Sequence, residues 1–177
     1  MSAPYAPAWG PLPGTDVAVR AATSGDLPAL VALLADDRLG SGREQAGDLR
    51  PYRAAFGQID TDPAHVLVVA AGDDGVVATL QLSFVPGLSR GGALRGQVEG
   101  VRVRADRRGA GLGGALLRWA IAESCRRGCA LVQLTTDRSR PEAHRFYEGL
   151  GFTPSHAGYK LPLEAGGPHR ADGAAVS

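Results

Sequence analysis

The chain has 177 residues, enough for one domain, which at this length buries roughly 70% of the surface its unfolded form exposes. Its 19 basic and 18 acidic side chains leave a formal charge of +1, which argues against a general nucleic-acid surface and a polybasic membrane anchor. Residues 1–14 contain four prolines and no apolar run, so they read as a flexible tail, neither signal peptide nor membrane span, of a cytoplasmic protein.

Residues 16–20 alternate as a short strand, and Thr23-Ser24-Gly25-Asp26 is a capping box opening a helix striped by Leu27, Leu30, Val31 and Leu34. After a glycine-containing turn over residues 38–43, Leu49, Tyr52, Phe56 and Ile59 recur at helical spacing, with Pro51 as a potential break. An apolar strand over 65–71, a turn at Gly72-Asp73-Asp74-Gly75, and alternation of Val76, Ala78, Leu80, Leu82 and Phe84 predict a hairpin. A glycine-rich loop over 86–92 precedes a strand over 96–103.

That strand runs into a basic turn and then an apolar helix. Gly109, Gly111, Gly113 and Gly114 leave backbone N–H groups unshielded where the helix begins, and the partial positive charge of a helix N-terminus favours phosphate oxygens. Arg107 and Arg108 are expected to add full charges. The helix carries Gly113, Leu116, Leu117, Ala120, Ile121 and Ser124 on its packed face, with Glu123 and Arg127 paired on the other. Cys125 and Cys129 have three residues between them, not the two of redox and zinc motifs, and read as packing residues. The four histidines are scattered, and no metal site is expected. A buried strand over 131–135, a helix over 141–150 ended by Gly151, and a last strand over 156–163 complete one domain over 15–163, with a second tail over 164–177.

Two common phosphate motifs fit poorly. Gly109-x-Gly111-x-x-Gly114, with Asp137 downstream, satisfies the dinucleotide pattern, but five residues separate Val103 from Gly109 and only 40 follow Asp137. A P-loop needs Lys-Ser or Lys-Thr after the glycines, and the single lysine is Lys160.

Arg108-Gly109-Ala110-Gly111-Leu112-Gly113, preceded by Val-x-Val, resembles the Arg-x-x-Gly-x-Gly motif of the GNAT superfamily of acyl-CoA-dependent N-acyltransferases. Ala143-His144-Arg145-Phe146-Tyr147-Glu148-Gly149-Leu150-Gly151-Phe152 is similar to that superfamily's second signature, A-x-x-F-Y-x-x-x-G-F. Together they extend the resemblance over residues 16–163. It implies an α/β (α+β) fold: a mixed, mostly antiparallel sheet of six to seven strands flanked by about four helices. It also implies acetyl-CoA as acyl donor, its pyrophosphate held by N–H groups of Arg108, Gly109, Ala110, Gly111, Leu112, Gly113 and Gly114. Val101, Arg102 and Val103 would line the pantetheine arm, the two valines pairing with it as an added strand does.

By the same resemblance Tyr147 protonates the leaving thiolate, a role that suits a phenol of pKa ~10; otherwise it packs beside Phe146, which is read as core. Arg140 stands where relatives often have an asparagine contacting pantetheine; it reaches a phosphate or an acidic acceptor, or pairs with Glu142 or Asp137. Alternation places Glu99 on the same side as Val101 and Val103, where it accepts the amine proton directly or through water, or is a solvated strand carboxylate. Gln97 continues that face. The loops over 38–44 and 86–92, with Arg43 and Arg90, are expected to wall the acceptor pocket.

The activity expected is acetyl transfer to a primary amine of a small molecule by direct attack in a ternary complex. The alternatives are a CoA-binding sensor or partner-binding module without turnover, and acetylation of peptide or protein N-termini. No nucleic acid or membrane partner is expected, and the protein is monomer or homodimer.

Overall fold

The computed structural model describes residues 7–36, 44 and 47–163. Six strands form one sheet in chain order: β1 Gly10–Pro11, β2 Ala18–Ala21, β3 His65–Gly72, β4 Gly75–Pro86, β5 Leu94–Val103 and β6 Leu131–Leu134. Neighbours are antiparallel except β5 and β6, which run parallel. The helices are α1 Leu27–Ala35, α2 Arg50–Thr61, α3 Ser89–Gly92, α4 Leu112–Arg126 and α5 Pro141–Glu148, α3 being one kinked turn. This is the mixed, mostly antiparallel architecture that the sequence predicts.

Successive strand side chains point to opposite faces, and the two faces are covered differently. Ala78, Leu80, Leu82 and Phe84 of β4 cluster with Leu112, Ala115, Leu116, Leu117 and Ala120 of α4. On the other face Val69 of β3 packs with Leu27 and Leu30 of α1 and with Tyr52 and Phe56 of α2. Thr79, Gln81 and Ser83 of β4 share this α1/α2 face by alternation. Pro51 does not break α2: it lies in the first turn, where a proline removes no helical hydrogen bond.

Several expectations are corrected. Residues 7–14 are not a tail: β1 pairs with β2, and Leu12 is core. Trp9 stacks on Trp119 at 5.6 Å between centroids, and the Trp119 indole N–H donates to the Ala8 carbonyl at 2.7 Å. Two tryptophans 110 positions apart in sequence thus anchor a proline-rich segment that has no apolar run of its own. Cys125 is exposed, whereas Cys129 is half-buried and its thiol pKa is raised by burial. Residues 156–163 form no strand.

Glu123 is buried, not on a solvent face. Its carboxylate accepts from the Arg126 guanidinium at 2.6 Å and from Arg127 Nε at 2.9 Å, and Arg127 also stacks 4.1 Å over the Phe84 ring. A buried carboxylate is tolerable only with such partners, and neutralising it leaves two guanidinium groups facing an amide. Glu123→Gln is therefore expected to cost roughly 2 kcal/mol and to lower Tm by about 4–8 °C. Thermal unfolding followed by circular dichroism checks this, and an unchanged Tm would show that the pairs contribute no net stability.

Candidate active site

At the end of β5 the Arg104 N–H bonds the Val77 carbonyl on β4 at 2.8 Å. Backbone groups alternate between strand edges, so Val101 and Val103 direct theirs to the opposite edge. Their carbonyls accept from Arg102 Nη1 and Arg108 Nε, each at 2.9 Å. A 3-10 turn over Ala105–Arg107 follows, then Arg108 in extended conformation, and Gly111 as N-cap of α4. Gly109 and Gly111 take φ of 79° and 80°, a left-handed region in which other L-residues lose about 1–2 kcal/mol. The first backbone hydrogen bond into α4 runs from Ala115 to Gly111 at 3.0 Å. The N–H groups of Leu112, Gly113 and Gly114 precede it and have no partner within the helix. No acidic side chain occupies the first turn, and Gly109, Ala110 and Gly111 are exposed. The result is a positively polarised concavity suited to an anion.

The arginines contribute differently from expectation. Arg107 pairs with Asp16 and, at 3.2 Å, with Asp74; Arg104 grips Asp106 at 2.7 Å. Arg108 donates to the carboxylate and the carbonyl of Asp36, both at 2.8 Å, tying the turn to the end of α1. Their charges are largely matched by carboxylates, which leaves backbone N–H groups as the main donors and makes the guanidinium groups braces.

Beside this turn the sheet opens. Pairing of β5 with β6 extends from Arg95–Leu131 to Val98–Leu134, where β6 ends, while β5 continues to Val103. Among the described residues no strand covers that edge of residues 99–103, which is where Val101 and Val103 present their backbone.

The same stretch corrects the position of Glu99. Gln81 pairs with Glu99 but Thr79 with Arg102, so Leu80 faces two residues, a β-bulge at which Gly100 takes φ 61°. The extra residue inverts the alternation. Val101 and Val103 pack on the α4-side cluster, whereas Glu99, exposed, and Gln97 lie with Gln81 and Ser83 on the α1/α2 face. There Gln133 Nε2 donates to Gln97 Oε1 at 2.8 Å, and Ser83 Oγ bonds His65 Nδ1 at 2.8 Å. Sequence reasoning missed this polar row; a glycine inside an otherwise regular strand was the available signal.

Tyr147 of α5 packs against the same cluster as Val101 and Val103, its ring 5.3 Å from Phe146 and 6.0 Å from Phe152. Desolvation raises its pKa, opposed by the positive charges of Arg140 and Arg102, so the phenol holds its proton. Phe146 is not core: it is 38% exposed and lies across the start of α4, where a Cβ on Gly113 would sit 3.4 Å from Phe146 Cζ and 3.5 Å from Val103 Cγ2. Both are ordinary contact distances, so Gly113 marks where α4, α5 and β5 meet. Arg140 is the N-cap residue of α5, with Nε 3.9 Å from Glu142, and His144 Nε2 bonds the Asp137 carbonyl at 3.0 Å, bracing the loop before α5.

The loop over 86–92 and the end of α1, which leads into the other expected wall of the acceptor pocket, lie at opposite ends of β5. The loop over 86–92 adjoins Leu94 at the start of β5, whereas α1 ends beside the turn after Val103, about 30 Å away at strand rise. Arg90 therefore does not face the opening beside Val103, and Arg43 lies outside the described residues. Among the described residues no group of His, Cys, Asp and Glu is arranged to hold a metal, and no helix is long and apolar enough to cross a membrane.

A glycine turn at a helix N-terminus, beside a sheet that parts between two parallel strands, can take an anionic group at one end and an extended arm along the open edge. The family model for the acetyltransferase (GNAT) family matches residues 28–152, more than half of the chain. The chain belongs to the GNAT family of acetyltransferases.

A solved structure from Bacillus halodurans C-125, described as a transcriptional regulator, is 45% identical with TM-score 0.81, covering 83% of this chain and 99% of its own. An aminoalkylphosphonate N-acetyltransferase of Salmonella typhimurium is 38% identical over 34% of this chain and 40% of its own length. A glucosamine 6-phosphate N-acetyltransferase of Trypanosoma brucei brucei is 37% identical over 50% of this chain and 58% of its own. The chain thus matches about half the length of these two curated relatives.

Proposed function

We propose that this protein transfers an acetyl group from acetyl-CoA to a primary amine of a small molecule, in the cytoplasm and without a metal. The observation that carries this reading is the continuity of the open β5 edge with the free N–H groups at the start of α4. One end suits a pyrophosphate and the other an amide-bearing arm running as an added strand. The pyrophosphate is held by backbone groups of Arg108, Gly109, Ala110, Gly111, Leu112, Gly113 and Gly114, and the pantetheine lies along Val101, Arg102 and Val103. Arg140, whose charge acts on the Tyr147 phenol, would add positive charge to the donor site. The two curated relatives are named for N-acetylation of an aminoalkylphosphonate and of glucosamine 6-phosphate, which supports a small amine as acceptor.

In this reading the amine lone pair attacks the thioester carbonyl carbon, the carbon–sulfur bond breaks, and the electron pair leaves on sulfur. Tyr147 gives its proton to that thiolate, and the proton lost by the amine passes to Glu99, directly or through water. The bulge at Gly100 supports this division of labour. It sets the carboxylate on the α1/α2 face, while Tyr147 packs on the α4 side, so the two proton transfers use separate groups on separate sides of the opening.

Glu99→Gln is expected to lower the rate of CoA thiol release at neutral pH by about 10- to 100-fold, with partial recovery at alkaline pH as the free-amine fraction rises. A panel of small amines, assayed for thiol release across pH with parent and variant, tests both the activity and the base. A variant profile superimposed on the parent's would replace Glu99 by a water relay.

The description of the 45% identical relative as a transcriptional regulator favours a second reading, in which CoA binding is kept without turnover. It predicts micromolar CoA binding and no thiol release with any amine of the panel.

A further inference from the structure

Resting on the acetyl-transfer reading, we propose that the acceptor is a hydroxylated amine, its hydroxyl held by the Gln97–Gln133 amide pair while its nitrogen meets Glu99. Gln97 and Gln133 stand opposite each other on β5 and β6, one pair before the ladder ends at Val98 and Leu134. Val132 and Leu134 pack on the α4-side cluster, so alternation sets Gln133 on the α1/α2 face with Gln97 and Glu99. The amide pair thus stands where the two strands part, on the side that carries the carboxylate. Gln97 precedes Glu99 by two residues, about 7 Å along the strand. α1 packs on β4 and β5 and α2 on β3, and both glutamines keep partial exposure.

The hydrogen bonds of this pair are incomplete. Each primary amide offers two N–H donors and a carbonyl oxygen that accepts. Gln133 Nε2 donates to Gln97 Oε1 at 2.8 Å. Gln97 Nε2 finds only the Val98 carbonyl, at 3.4 Å, outside the usual range of an N–H···O bond. Among the described residues no group donates to Gln133 Oε1. The neighbouring Ser83, opposite Gln97 on β4, is already engaged by His65 Nδ1 at 2.8 Å.

What remains side by side is a donor and an acceptor, the complement of a hydroxyl, which accepts and donates. A pair that served only to join β5 to β6 would need no such surplus, because the backbone ladder already joins them. An alkyl group laid on the two amides would strip them of water and return no hydrogen bond, so the pair selects against it. The short step from Glu99 to Gln97 sets the hydroxyl within a few bonds of the reacting nitrogen. That is the pattern of an amino alcohol or an amino sugar.

Matched amines test this: glucosamine against cyclohexylamine, and 2-aminoethanol against ethylamine. Each is titrated by calorimetry into the full chain saturated with CoA, and each is assayed with acetyl-CoA for thiol release. The parent should bind the hydroxylated member of each pair at least about 10-fold more tightly. Gln133→Met keeps the length of the side chain and removes its amide, and it should lower that selectivity at least about 10-fold in binding and in kcat/KM. Gln97→Met should do the same, and circular dichroism checks the fold of both. Comparing parent and variant on the same amines cancels differences in amine basicity. Equal binding of the two members of each pair, no binding of either hydroxylated amine, or parental selectivity in both folded variants would overturn the proposal. So would loss of folding in both variants, because it would make the amides structural. Selective binding without thiol release would sink the acetyl-transfer reading and leave the hydroxyl site standing.

Discussion

Gly111→Trp is expected to weaken acetyl-CoA binding at least about 100-fold, or ~2.7 kcal/mol, while the domain remains folded. Gly111 is the N-cap of α4 at φ 80°, and nothing lies within 4 Å of its Cβ position. An indole attached there projects into the open concavity instead of clashing with the core. It excludes an anion from the N–H groups of Leu112, Gly113 and Gly114, and the unfavourable φ costs the fold about 1–2 kcal/mol, a few degrees of Tm. Titration calorimetry reads the affinity and circular dichroism the fold. A folded variant that binds acetyl-CoA as the parent does would move the cofactor away from this turn.

Tyr147→Phe is expected to lower kcat by about 10- to 1000-fold and to leave acetyl-CoA affinity nearly unchanged. The ring contacts with Phe146 and Phe152 survive the substitution, so the effect isolates the hydroxyl. Burial raises the phenol pKa, and a raised pKa extends the protonated form to higher pH. The parent should therefore show no loss of kcat attributable to this group below about pH 10, and a loss only above its raised pKa. Single-turnover thiol release across pH, in parent and variant, separates this from a packing role. An unchanged kcat would remove Tyr147 from the chemistry.

The parts of the molecule that local pattern controls were legible in the sequence. The hairpin of β3 and β4, the turn at Gly109–Gly111 and the start of α4 each rest on residues within a few positions of one another. What pattern could not carry were features set by distant partners. The stacking of Trp9 on Trp119, the burial of Glu123 beneath Arg126 and Arg127, and the matching of Arg107 with Asp16 and Asp74 all depend on which elements meet. Alternation alone misplaced Glu99, because one extra residue at Gly100 inverts every face preceding it along β5. Phe146 looked like core from its composition, yet it lies half-open over Gly113. Residues 156–163 have the composition of a strand but no partner strand in a single copy, and a strand exists only with its neighbour.

The most direct test of the proposed donor site is a calorimetric titration of the full chain with acetyl-CoA, CoA and NADH in parallel, with Gly111→Trp as the blocked control. Micromolar binding of the two CoA species alone, abolished in the control, is the result expected of backbone donors at the start of α4. Binding of NADH, or of CoA equally well to the control, would contradict it.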